Sequence, residues 1–169
     1  NTDESIVKFI TVGRLSDEKG HIRVLSILSQ LEFAFHYTII GDGPLKEQIF
    51  KTIKKLHLES KITYVPFTKN VLKFMAENDL FLQGSYVEGF PNTVLESCLV
   101  GTPVLAFNAP GGTKEIISHN INGYLAETEE EYLAYLNKPL EWNPKTISDS
   151  VKLKFNKEKI INQYEALLS

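Results

Sequence analysis

The feature that most constrains the fold is an alternation running through most of the chain. Short apolar runs rich in β-branched and aromatic residues recur at 6–12, 37–40, 61–65, 80–83, 103–107 and 123–126, each of strand length. Between them apolar residues return with helical period. Ile22, Leu25, Ile27 and Leu28 make one apolar face after Lys19; Leu45, Ile49, Ile53 and Leu56 make another, with Lys46, Lys51, Lys54 and Lys55 opposite. Strand and helix in turn predict a mostly parallel sheet covered on both faces, the doubly wound α/β architecture. A length of 169 residues suits one domain, 1–169. After Ala126 the pattern changes. An acidic stretch at 127–131 opens a helix, Pro139 and Pro144 flank an irregular connection, and 155–168 reads as a final helix.

Composition narrows the function classes. With 43% hydrophobic and 23% charged residues the chain has the balance of a soluble globular protein. A net charge of -3 supplies no global attraction for nucleic acid, so an anionic ligand must be held by local features. Cys98, the one cysteine, excludes an internal disulfide and cysteine-rich metal sites and fits a reducing, cytoplasmic compartment. No apolar run reaches the roughly 18 residues of a membrane span, and the polar stretch from Asn1 is unlike a signal peptide. His21, His36, His57 and His119 are scattered without metal-ligand spacing, and Cys98, Met75 and Trp142 read as packing residues.

In a doubly wound sheet the ligand lies outside the carboxyl ends of the strands. Most of the unusual residues fall in the loops expected there. The first, from Gly13, places Arg14 after a strand and Lys19 at a helix start, a guanidinium fork and an ammonium that can meet phosphate oxygens. On their own they read better as ordinary exposed cations beside Asp17 and Glu18, and only the position at a strand's carboxyl end brings the functional reading level with that. Gly41-Asp42-Gly43-Pro44 is a tight turn. It fails the dinucleotide fingerprint, because Lys46 stands at the third glycine position. The segment from Pro110 through Gly111, Gly112 and Thr113 either offers backbone donors or simply packs closely.

The fourth loop is the most informative: Glu88-Gly89-Phe90-Pro91-Asn92-Thr93-Val94-Leu95-Glu96. Pro91 is preset for a helix start and Asn92 or Thr93 can cap it, so a helix N-terminus is expected to face the ligand edge and favour an anion such as a diphosphate. Glu96 shares a helix face with Asn92 and Thr93, and its side chain leans back toward the N-terminus. A carboxylate beside a diphosphate suits a neutral diol such as a ribose, and Glu88 can accept from sugar hydroxyls. Taken singly, Glu88 also reads as a loop charge and Glu96 as a solvated helix residue.

These residues resemble the hallmark of the retaining GT-B glycosyltransferases of family 4. The resemblance rests on Glu88 and Glu96 with seven residues between them, and on neighbours in the family's order: Gly13-Arg14 with Lys19-Gly20, Gly41-Asp42-Gly43-Pro44, Gly101-Thr102-Pro103, and Gly111-Gly112-Thr113. It covers about residues 6 to 126 and implies a Rossmann-like GT-B half that binds the donor, a UDP- or GDP-sugar. By resemblance, Arg14, Lys19 and Glu88 are catalytic. Arg14 and Lys19 hold the diphosphate, Glu96 the ribose and Glu88 the transferred sugar. Gly13, Gly41, Gly89 and the backbone from Phe90 through Pro91 and Asn92 to Thr93 line the donor site, with Val65, Pro66 and Phe67 at the base. The resemblance implies no cofactor and no divalent metal, which is physically coherent, since Arg14, Lys19 and the helix dipole can offset the leaving-group charge. The acceptor-binding half is expected to lie outside 1–169, so this piece alone is expected to bind nucleotide weakly and transfer no sugar. Peripheral contact with the inner membrane face is compatible with the resemblance. The competing expectations are a GT-B sugar-nucleotide 2-epimerase and a non-catalytic nucleotide-binding module.

Overall fold

The computed structural model describes residues 5–155. Six strands form one parallel sheet: β1 (Val7–Val12), β2 (Phe35–Ile40), β3 (Ile62–Val65), β4 (Leu80–Gln83), β5 (Val104–Phe107) and β6 (Gly123–Ala126). Their order is β3-β2-β1-β4-β5-β6. The expected doubly wound sheet is therefore present, and each expected strand appears with its ends moved by two residues or fewer.

Both faces are buried, and the strands show why in their alternation. Phe9, Tyr37, Ile39, Leu82, Leu105 and Phe107 pack on one side under α1 (His21–Leu28), α2 (Lys46–Lys55) and α6 (Glu129–Leu136). Ile10, Ile40, Phe81, Val104 and Ala106 pack on the other under α3 (Val71–Ala76), α4 (Asn92–Leu99), α5 (Thr113–Ile116) and α7 (Pro144–Lys154). With successive side chains pointing to opposite faces, a strand covered on both sides must be apolar throughout. Cys98 and Met75 are fully buried in this second layer, as expected of packing residues. Burial pushes the Cys98 thiol up to about 12, far from a nucleophile's range.

The carboxyl-terminal region departs from expectation. The segment after Pro144 is the helix α7, running from Pro144 to Lys154 and ending at Phe155, whose backbone is extended. Pro144 stands at the helix start, where its missing N–H costs nothing, and the Asn143 side chain accepts from Thr146 N. Ile147 and Val151, one turn apart, seal the helix onto the core. Of the expected helix at 155–168, the part beyond Phe155 lies outside the described residues.

This topology fixes where a ligand can sit. β1 has β2 on one side and β4 on the other, so the chain winds outward in one direction, then returns and winds in the other. The loops after β1 and β4 diverge at that switch point and leave a crevice between them.

Candidate functional site

A cavity of about 300 Å³ occupies that crevice, lined from β1 and its loop by Thr11, Gly13, Lys19 and His21, and from β4 and its loop by Gln83, Ser85, Glu88 and Phe90 through Thr93. A wider groove of about 940 Å³ runs past Lys8, Asp79 and Leu140. It lies at the strands' amino ends and brings together none of the motif residues.

Two loop conformations bring Lys19 to Glu88. After β1, Leu15 is buried and the chain takes a single 3-10 turn, Asp17–Lys19, before Gly20 turns left-handed into α1. After β4, Glu88 N donates to Pro110 O at 3.0 Å and Gly112 N to Gly89 O at 2.7 Å, so the β4–α4 loop is stitched to the loop after β5. Gly111 has φ +121, and a Cβ there would stand 1.5 Å from Glu88 O. The segment from Pro110 to Thr113 thus packs closely, one of its two anticipated roles. Lys19 Nζ then meets Glu88 Oε1 at 2.7 Å, and Ser85 Oγ donates to the same oxygen at 2.6 Å. The Glu88 side chain is only 7% exposed. A carboxylate held by an ammonium at a cavity wall is preorganised, and both groups can exchange each other for a ligand.

Helix α4 aims its N-terminus into the cavity, but its capping differs from expectation. Pro91 is the N-cap residue, and neither Asn92 nor Thr93 caps, because they are already the first helical residues. The first N–H groups of a helix have no intrahelical acceptor, and no side chain caps these. They face the cavity beside Lys19, an arrangement suited to an anion.

Glu96 is not a solvated helix residue. It is 7% exposed, Oε1 is buried without a hydrogen-bond partner, and burial pushes its carboxyl up to about 7. It does not line the cavity, and neither does Arg14, which is exposed one residue beyond cavity-lining Gly13. Lys19 and Arg14 are therefore on the same loop but not in the same contact.

The remaining motif residues form a ledge of main chain leading away from the cavity. Gly13 N donates to Ile40 O and Gly41 N to Val65 O, both at 3.0 Å. At Gly41 a Cβ would stand 2.0 Å from Gly13 O, which gives this glycine a packing reason whatever else it does. Val65, Pro66 and Phe67 follow at the carboxyl end of β3, the outer strand, and Phe67 is 78% exposed.

Sequence reasoning passed over His21, Gln83 and Ser85. His21 is buried, with neither ring nitrogen partnered, and burial followed by the charge of Lys19 lowers it to about 4, so its imidazole is neutral. Gln83 Oε1 is likewise unpartnered. The available signal was positional: Gln83 ends a strand and His21 starts a helix, both at the ligand edge. Among the described residues no group of three or more His, Cys, Asp or Glu is placed to hold a metal ion. None of their helices is long and apolar enough to cross a membrane.

Comparison with known proteins adds the family. The model for glycosyl transferases group 1 matches residues 1–154. The chain belongs to this family. Relatives of the group 1 domain include N-acetylgalactosamine-N,N'-diacetylbacillosaminyl-diphospho-undecaprenol 4-alpha-N-acetylgalactosaminyltransferase of Campylobacter jejuni. That protein is 33% identical over 125 residues, covering 73% of this chain and 34% of its own length. An uncharacterized glycosyltransferase of Haemophilus influenzae is 28% identical, covering 94% and 48%. Among solved structures, the apo lipopolysaccharide outer core galactosyltransferase WaaB superposes with a TM-score of 0.86 at 19% identity, over 99% of this chain and 50% of that one. Anabaena HepE in complex with UDP and glucose gives 0.81 at 25% identity, over 96% and 48%. The group 1 domain spans about half, or less, of the length of these relatives.

Proposed function

We propose that this chain is the donor-binding half of a retaining glycosyltransferase, taking a sugar from a nucleoside diphosphate and passing it to a glycan or lipid-linked acceptor. The observation that carries the reading is the convergence, on one cavity at the sheet's switch point, of Lys19, Glu88 and the uncapped N-terminus of α4. Cation and helix dipole suit a diphosphate; the carboxylate suits sugar hydroxyls. Binding a nucleotide sugar would part the Lys19–Glu88 pair, sending Lys19 to phosphate and Glu88 to sugar. Each exchanges one charge-assisted contact for another, so the resting pair keeps both groups in place at little cost.

In this reading the negative charge that develops on the departing diphosphate is met by Lys19, by Arg14 from the adjoining loop and by the α4 N-terminus, without a divalent metal. The ribose is assigned to Glu96 and the base to the ledge ending at Val65, Pro66 and Phe67. The solved HepE complex with UDP and glucose supports a donor of this class, a UDP- or GDP-sugar. The relatives' greater length supports an acceptor half outside these residues, so the chain alone would bind nucleotide and transfer no sugar. Attachment to a membrane surface belongs to the same proposal, since a relative named for diphospho-undecaprenol acts on a lipid-linked sugar.

The test is a calorimetric screen of UDP, GDP, ADP and their glucose conjugates against the chain. Stabilisation by one base is expected, with a further gain from the sugar. Indifference to all of them refutes the reading. Transfer by the complete enzyme that persists in a chelator would support the metal-free mechanism.

A further inference from the structure

Glu88 can face a ligand only if the β4–α4 loop is held, and that loop is anchored by a residue from another element. Arg23 projects from α1, and its guanidinium carbon sits 3.6 Å from the centroids of both the Tyr86 and the Phe107 ring, a cation sandwiched between two aromatic faces. In the plane of that sandwich Nε donates to Gly84 O at 2.7 Å and Nη2 to Ser85 O at 2.8 Å. One wall is itself fixed, because Phe107 stacks on the buried Tyr132 at 4.5 Å. The other wall, Tyr86, belongs to the loop, and its N–H donates to Glu18 O at 2.8 Å. Beneath the fork the two loops touch through main chain: a Cβ on Gly20 would stand 1.9 Å from Gly84 O.

The anchor leads directly to the cavity. Ser85, whose carbonyl Arg23 holds, donates its hydroxyl to Glu88 Oε1. On this geometry, and on the donor-site reading above, we propose that Arg23 is a positioning residue for the transferred sugar: its fork sets the backbone of residues 84–86, which sets Ser85 and hence Glu88. The chemistry requires arginine. Lysine brings one ammonium with no planar fork, so it cannot hold two carbonyls while stacked between two rings. The Arg23 fork spends its hydrogen bonds on Gly84 O and Ser85 O and not on Lys19 or the first residues of α4, so the proposal separates sugar affinity from nucleotide affinity.

The experiment has two arms. The first is amide hydrogen exchange on the unliganded chain with Arg23→Met and Arg23→Lys. Both should speed exchange across 84–88 by about tenfold or more while peptides of β5 and α2 keep their protection. Unchanged exchange at 84–88, or loss of protection throughout, overturns the proposal whatever the chain binds. The second arm titrates UDP and UDP-glucose. In the parent chain UDP-glucose should bind more tightly than UDP. Both variants should erase that preference, a loss of about tenfold for one charged hydrogen bond, with UDP affinity within about twofold of the parent. A Glu88→Gln background should show no additional loss on Arg23→Met, because the two act in series. Equal weakening of UDP and UDP-glucose, or a further loss in the Glu88→Gln background, refutes the positioning role and leaves the donor reading intact. A parent chain that binds UDP-glucose no better than UDP removes the sugar contact, and the proposal with it.

Discussion

Replacing Glu96 by Gln measures what the fold gives up to keep a carboxylate inside α4. Glu96 has an ordinary value of 4.5 and a folded value of about 7, and the sole cause is burial. For an acid whose folded value is raised, the penalty is absent below pH 4.5, where both states carry the proton. It grows as pH rises and is complete above pH 7, where the folded state must also ionise. The difference between the two values, at 1.36 kcal/mol per unit, is about 3 kcal/mol. Glu96 is only 7% exposed, so solvent screening does little to reduce it. Glu96→Gln resembles the protonated form at every pH. Its stability relative to the parent chain should therefore climb by about 3 kcal/mol between pH 4.5 and pH 8. In a domain of this size that amounts to a rise in relative Tm of roughly 6–12 °C. The assay is guanidinium unfolding of both chains across that range, followed by circular dichroism. Any constant effect of the carboxamide appears equally at pH 4.5, so only the pH-dependent part tests the argument. A difference that stays flat, or that shrinks with pH, means that Oε1 has a partner in solution and refutes the reasoning. If Glu96 holds the ribose, the same variant should weaken UDP binding by about tenfold and leave inorganic pyrophosphate unaffected.

Three further outcomes are expected. His21 is held at about 4 against an ordinary 6.5, so its contribution to stability is fully present above pH 6.5 and is lost as pH falls toward 4. Urea unfolding at pH 7 and pH 4 should therefore show the parent chain losing about 3 kcal/mol more than His21→Phe, and equal losses would contradict a buried neutral imidazole. Gly111→Ala places a Cβ against Glu88 O at φ +121. It should cost on the order of 2–3 kcal/mol in thermal unfolding and reduce UDP-glucose binding more than UDP binding; a silent variant would show that the two loops are not in contact. Lys19→Ala should weaken UDP by roughly ten- to a hundredfold in calorimetry, the loss of one charge-assisted contact, and unchanged affinity would remove Lys19 from the phosphate site.

The sheet was legible because each strand is buried on both faces and so is written as an unbroken apolar run. Pro139 and Pro144 do flank an irregular connection, but α7 went unread because Pro144 sits at the one helical position where proline fits and Asn143 caps before it, so the second proline opens a helix. Glu88 and Lys19 could be picked out because their loops fall at strand ends in a doubly wound sheet. Their 2.7 Å contact could not, since 69 residues separate them and no local period encodes it. Arg23, whose partners lie 61 and 62 residues away, drew no reading from the sequence. His21 and Gln83 escaped because no motif marks them, and only the folded crevice shows their buried polar atoms without partners.

The contacts between Gly20 and Gly84, between Gly41 and Gly13, and between Gly111 and Glu88 have one thing in common: main chain rests on main chain. A scaffold joined in this way separates two kinds of mutational freedom. At Gly20, Gly41, Gly84 and Gly111 almost nothing is tolerated, since an added carbon pushes a neighbouring strand-end loop out of place. At the side chains between them, substitution alters what lines the crevice without moving its walls. The ligand edge can thus be rewritten for a different ligand one residue at a time, at positions such as His21 and Gln83, while the frame that carries it stays still.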